Sequence, residues 1–249
     1  VLNGDVTAAG TGVITLGDTN TGITVSGSGT VGGASGGTIT MGDVLMADGV
    51  TLTVGAGAAN QIDLDAITGT AEGAVSSLTI NSTGVVDVAE AVGTDIGTVT
   101  ITNSGGTTFN STVGAATFTL TDTADAATVS FLGNVTLSAG MTVSALGRSD
   151  AFNVSLTGTT NSIAGATTFF NTGTLTLGNG GTDATEFTGG VVATTQTGAT
   201  NGIVLNGDVT AAGTGVITLG DTNTGITVSG SGTVGGASGG TITMGDVLM

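Results

Sequence analysis

The chain repeats itself. Val1 to Met46 and Val204 to Met249 carry one sequence, VLNGDVTAAGTGVITLGDTNTGITVSGSGTVGGASGGTITMGDVLM, without a single change. The copies are offset by 203 residues (204 − 1). Self-similarity at a fixed period is the mark of solenoids and arrays, and it constrains the fold more than any local motif. The expected organisation is one continuous solenoid over 1–249, with one repeat at 1–203 and the start of the next at 204–249, a window on a longer tandem array.

A shorter rhythm runs inside the long one. The recurring unit is apolar–Thr–apolar with Gly, Asn or Asp nearby. It stands at Ile14-Thr15-Leu16, Ile39-Thr40-Met41, Leu52-Thr53-Val54, Leu78-Thr79-Ile80, Val99-Thr100-Ile101, Phe118-Thr119-Leu120, Val135-Thr136-Leu137, Val154-Ser155-Leu156 (with Ser for Thr) and Leu175-Thr176-Leu177, and again at Ile217-Thr218-Leu219. Steps between these units cluster at about 20 residues, a length typical of one unit in a stacked array. Ten such steps would fill the 203-residue period. Two architectures compete for that spacing. An antiparallel meander needs hairpin turns every 8–12 residues. A parallel solenoid needs one coil of several short strands per step, with Gly, Asn and Asp at the corners, and each coil buries its inner face only against its neighbours. The spacing favours the solenoid: an all-β, right-handed parallel β-helix of about 20 residues per coil. The absence of Pro agrees, because Pro cannot donate to a central ladder. Helical signals are scarce, and Val85 to Val92, the best of them, is too short and too Gly-flanked to stand alone.

Composition then excludes whole classes of function. Threonine outnumbers even the 48 glycines, hydrophobic residues are 39% and charged residues only 8%. A disordered polar chain needs low hydrophobicity and high charge, and this one fails the first condition. The 18 acids face one base, Arg148, for a net charge of −17. Nucleic acid is therefore not an expected partner, since phosphate binding needs Lys and Arg. Anionic membrane surfaces are disfavoured for the same reason, and no apolar run reaches transmembrane length, so no membrane insertion is expected. There is no Cys or His, which removes the usual zinc ligands and the bases of nucleophilic triads.

Three stretches carry a family likeness. GTVTITNSGGTTF (Gly97 to Phe109), LGNVTLSAGMTVSALG (Leu132 to Gly147) and NTGTLTLGNGGT (Asn171 to Thr182) resemble the passenger β-helices of filamentous-haemagglutinin-type and autotransporter proteins of bacterial cell surfaces. The resemblance is one of repeat texture and covers most of the chain. It implies a secreted protein, extracellular or on the cell surface, serving as adhesin, fibre or scaffold. An identical 203-residue repeat departs from such passengers, whose coils diverge, and shifts the expectation towards a fibre.

The expected function is thus a non-enzymatic structural filament or sheath that associates with itself. An adhesin or S-layer-like protein gripping glycan or a partner surface is the alternative. No cofactor is expected, with calcium as the one candidate ion, because it takes carboxylate, carbonyl and amide oxygens. Asp63 and Asp65, projecting beside Gln61, are one candidate ligand set; Asp18 and Asn20, repeated as Asp221 and Asn223, are another. Asp63 and Asp65 lie about 7 Å apart by the rise of a strand, a spacing also open to glycosidase chemistry, but a solvated acidic face accounts for them more simply. Thr-x-Thr pairs at Thr38/Thr40, Thr51/Thr53, Thr98/Thr100 and Thr119/Thr121 skip coils in the sequence, which speaks against an ordered threonine array. Asn-x-Ser/Thr sequons at Asn81, Asn110, Asn134 and Asn153 are expected by chance in so Thr-rich a chain.

Overall fold

Short strands recur with inward and outward positions alternating. Ile39 and Met41 of Thr38–Met41 are buried while Thr38 and Thr40 are half-exposed, and Leu52 and Val54 of Thr51–Val54 repeat the pattern. This period of two is what a pleated strand imposes on side chains. In the computed structural model, which describes residues 1–18, 20–58, 61–143, 151–194 and 201–249, 33 such strands form three 11-stranded sheets, here A, B and C. Successive strands go to A, B and C in turn, and each strand pairs with the one three places on, always in parallel. The architecture is a parallel β-solenoid with a three-sided coil. No antiparallel meander is present among the described residues; antiparallel pairing there is confined to two isolated bridges, Asp18–Thr21 and Asp221–Thr224.

The coil is longer than the sequence rhythm suggests. One inward column of sheet C runs Ile14, Ile39, Ile62, Val86, Thr107, Val129, Val154, Leu175, Ile203, Ile226, Val247. That column takes ten steps from position 14 to position 247. A coil therefore averages about 23 residues, still within the range of stacked repeat units. The reason for the difference is that the apolar–Thr–apolar unit marks a strand, and a coil has three strands. Leu78, Val99 and Phe118 do sit above one another on sheet B. Val135 lies on sheet A and Val154 on sheet C, so the later steps of the rhythm pass between faces.

This corrects the phase of the long repeat. Leu2 stands on sheet A, whereas its duplicate Leu205 stands on sheet C. Ile14–Leu16 belongs to sheet C and Ile217–Leu219 to sheet B. The copies are 26 strands apart, which is eight and two-thirds coils and not ten whole ones. Identical sequence is therefore accepted on different faces, because each inner face asks only for apolar residues at alternate positions.

The core is one aliphatic column with aromatic packing in its middle. Phe109 and Phe131 stack face to face at 5.0 Å, with Phe118 edge-on to both at 5.9 and 5.0 Å. Phe169 and Phe187 meet edge to face at 6.2 Å. Buried polar side chains find partners, with one exception among the described residues, Asp95 Oδ2. Asn161 accepts from the Val135 N–H at 2.9 Å and donates to the Gly158 carbonyl at 3.0 Å and to Thr185 Oγ1 at 3.1 Å. At the corner after sheet B, Ser104 and Thr123 share a hydroxyl hydrogen bond of 2.8 Å. Gly55 turns that corner at φ +84°, and a Cβ there would run into the Asn81 carbonyl.

Two measurements check this arrangement. Phe131→Ala should cost about 3–5 kcal/mol in chemical denaturation, the usual loss for a buried ring, while Ser130→Ala on the same strand's outer face should stay within about 0.5 kcal/mol. Cysteines replacing Val192 and Thr218, register partners on sheet B, should oxidise to a disulfide, since paired strands lie within bridging distance. Cysteines at Thr136 and Ser155, which the even sequence rhythm would make neighbours but which stand on sheets A and C, should not.

Candidate functional site

The outer surface divides by charge. Four acids lie within strands: Asp63 and Asp87 on sheet C, Glu186 and Asp208 on sheet A. Sheet B has no charged residue in any of its strands. The other described acids sit at corners or between strands. Arg148 and Asp150 lie outside the described residues.

On sheet C the expected acidic pair is split. Asp63 is on the outer face, where it accepts from Gln61 Nε2 at 2.7 Å. Its partner in the next coil is Asp87, which accepts from Asn110 Nδ2 at 2.7 Å. Like charges opposite one another destabilise a sheet, and each of these carries an amide donor that offsets the repulsion. Asp65 lies past the end of the strand, donating its N–H to the Met41 carbonyl at 3.1 Å. The register of Leu16, Met41 and Leu64 sets Asp65 beside Gly42 and Gly17 of the two preceding coils, while Asp18 and Asp43 stand one position further along. Asp18 and Asp65 are thus two coils apart, roughly 10 Å at the interstrand spacing. No cluster of three or more acids able to hold a metal ion occurs among the described residues.

At the Asp18 corner the carboxylate is turned on its own backbone. Asp18 Oδ1 accepts from the Asn20 N–H at 2.8 Å, and Asp18 and Thr21 exchange backbone hydrogen bonds of 3.3 and 3.1 Å. The second copy repeats this on another corner, where the Asn223 N–H donates to Asp221 Oδ1 at 2.8 Å. The Asn20 N–H, followed by the Thr21 hydroxyl, holds the Asp18 carboxyl below the usual aspartate value. Gly178 to Asp183 makes a similar loop: buried Asp183 accepts through Oδ2 from the N–H groups of Asn179 (2.8 Å) and Gly180 (3.0 Å). All these carboxylates close turns, a role Asp often takes in Asx geometry.

Sheet B holds what the sequence spacing concealed. Thr30, Thr53, Thr79, Thr100, Thr119, Thr142 and Thr168 stand one above another on seven successive strands. Val192 follows, then Thr218 and Thr243. A second column, Thr51, Ser77, Thr98 and Thr117, runs beside the first over four coils. Over these four coils the pairs do not skip, whereas Thr38/Thr40 belongs to sheet C and Thr121 lies past its strand. The coils differ in length, the step from Leu52 to Leu78 being longer than that from Val99 to Phe118 (78 − 52 against 118 − 99). Aligning inward apolar residues instead of counting a fixed period would have found the columns.

Sheet A carries a shallow depression of about 370 Å³ with Thr68, Thr94, Thr112 and Thr136 around it and Gly93 and Gly114 on its floor. No described helix is long and apolar enough to cross a membrane. Comparison with protein families, curated proteins and solved structures finds no match to this chain.

The Asp18 turn gives a testable sign. A carboxyl whose folded pKa lies below its unfolded value stabilises the fold above that unfolded value and ceases to as pH falls through the folded one. The Asp18 carboxyl should titrate by NMR below the ordinary aspartate range, and Thr21→Val should move its midpoint back upward.

Proposed function

We propose that this chain is a segment of an extracellular structural filament in which 203-residue repeats stack end to end as one solenoid. The supporting observation is that the second copy joins the same ladders that run through the rest of the chain, Leu177 pairing with Leu205 and Ala193 with Leu219. In the first copy, the coil containing Thr51–Gly69 packs on Ile39, Met41 and Val44, through Ile39↔Ile62, Met41↔Leu64 and Val44↔Ile67. Those three residues are 1% exposed. Their duplicates Ile242, Met244 and Val247 are 45%, 37% and 46% exposed. Parallel ladders with one chemistry at both ends give such stacking a fixed polarity, and the acids at the corners keep neighbouring filaments apart. The role is mechanical and non-catalytic. The haemagglutinin-like texture of Gly97 to Phe109 and Leu132 to Gly147 supports a cell-surface setting.

The second reading, an adhesin or S-layer-like protein, draws on the hydroxyl-rimmed depression of sheet A, whose size and neutral rim suit a sugar unit. Long insertions would favour that reading more strongly. Along sheet C, however, even the widest step, from Leu175 to Ile203, exceeds the mean coil by only a few positions.

Extending the chain beyond Met249 with a copy of residues 47–203 tests the filament. Particle length should grow by roughly 30 Å, from six and one-third added coils at about 4.8 Å each. Met244 should fall from peroxide-sensitive to as protected as Met41, read by peptide mass spectrometry. A Met244 that stays reactive, or a particle of two separate bodies, overturns the proposal.

A further inference from the structure

We propose that the threonine face of sheet B is an ice-binding surface. The proposal rests on the register of that face and on its charge, and it stands apart from the filament reading.

The first observation is the lattice. Over four successive coils, Thr51/Thr53, Ser77/Thr79, Thr98/Thr100 and Thr117/Thr119 place hydroxyls in two columns. Residues two apart on a strand are about 6.6 Å apart, and paired strands about 4.8 Å. The hydroxyl array therefore has a rectangular cell of those edges, close to the oxygen repeats on a prism face of hexagonal ice. The Thr100 column continues through Thr142 and Thr168 and resumes at Thr218 and Thr243. Seven of the nine threonines in this longer column are half-buried between their neighbours in the ladder, so their rotamers are restricted before any ligand arrives. Thr98 and Thr117 are tied hydroxyl to hydroxyl at 3.0 Å.

The second observation is independent of the first. In a chain of net charge −17, the strands of sheet B carry no charged group at all. A carboxylate binds its own hydration shell and would break the order of an adjoining water lattice. Methyl and hydroxyl groups on an uncharged face leave that lattice intact, with water bridging to the hydroxyls at little cost.

Two other occupants fit less well. Sugar-binding surfaces often present a platform of aromatic rings, and six of the seven phenylalanines, Phe109, Phe118, Phe131, Phe152, Phe169 and Phe187, are in the core, which leaves only half-buried Phe170 past the end of one sheet B strand. A second copy of the chain, laid face to face, would meet over an area about 48 Å long and about 10 Å wide by strand dimensions. That is roughly 500 Å² per partner, against about 800 Å² in a stable pair. A growing crystal needs no such minimum area on a single protein, because each engulfed molecule is held by advancing ice on a matched lattice.

The test is uptake into ice. The chain is labelled fluorescently, a slowly growing ice hemisphere is drawn from the solution, and the concentration in ice is compared with that in the liquid. The chain should enrich in ice relative to a labelled albumin control and should slow the coarsening of fine-grained ice. Thr100→Tyr, in the centre of the two-column patch, should lower uptake at least several-fold. Ser155→Tyr, outward on sheet C, should leave it unchanged. Circular dichroism confirms that each variant keeps its strands. Should Thr100→Tyr misfold, Thr79→Lys and Thr119→Lys put a charge on the same patch and should give the same loss. Exclusion of the parent chain from ice overturns the proposal, as does equal uptake of sheet B and sheet C variants. Dimerisation through the threonine face without ice uptake assigns that face to self-association and overturns it too.

Discussion

Everything in this molecule depends on the parallel ladder between one coil and the next. A single coil has no interior of its own, since its inward residues point at one another across an open ring. Backbone N–H and C=O groups along each strand find partners only in the coils above and below, and unpaired groups would be costly to bury. Stability is therefore a nearest-neighbour property: each coil is folded because its neighbours are. The core reflects this. It is a column of Val, Ile, Leu and Phe in which each residue packs chiefly on its register partner, as Phe109 does on Phe131.

The same rule explains which parts of the fold were legible from sequence. Alternation in Thr51-Leu52-Thr53-Val54 showed strands, and the absence of Pro with abundant Gly showed tight corners and uninterrupted ladders. Coil length was not legible, because strands on all three faces obey one pattern and nothing in Val135-Thr136-Leu137 or Val154-Ser155-Leu156 says which face it occupies. Corners of variable length then hid the alignment of Thr79, Thr100 and Thr119. The acidic candidates were half legible. Asp18 and Asn20 do share a turn, but the Asn20 backbone N–H is what meets the carboxylate, and Asp63 and Asp65 leave the strand in different settings because the strand ends between them.

Placement of charge follows from the same geometry. An acid on a strand meets its register partner at about 4.8 Å in the next coil, so a column of acids would repel itself along the whole axis. Among the described strands only Asp63 and Asp87 are stacked in this way, and each is served by an amide side chain. Corners are more forgiving, since loops of differing length offset successive residues and expose backbone N–H groups for carboxylates to cap. Asp183, held by two N–H groups, is a buried example.

The two copies of the 46-residue segment lie 26 strands apart, two strands beyond a whole number of coils. Stacked in series, such repeats are related by a threefold screw. The pattern comes back to its starting side only after three repeats, or 26 complete coils, and each surface motif winds around the shaft like the thread of a bolt. A shaft built this way has no permanent front or back. A flat partner touching one side meets a given motif at intervals of three repeats, whereas surroundings that enclose the shaft meet it at every repeat.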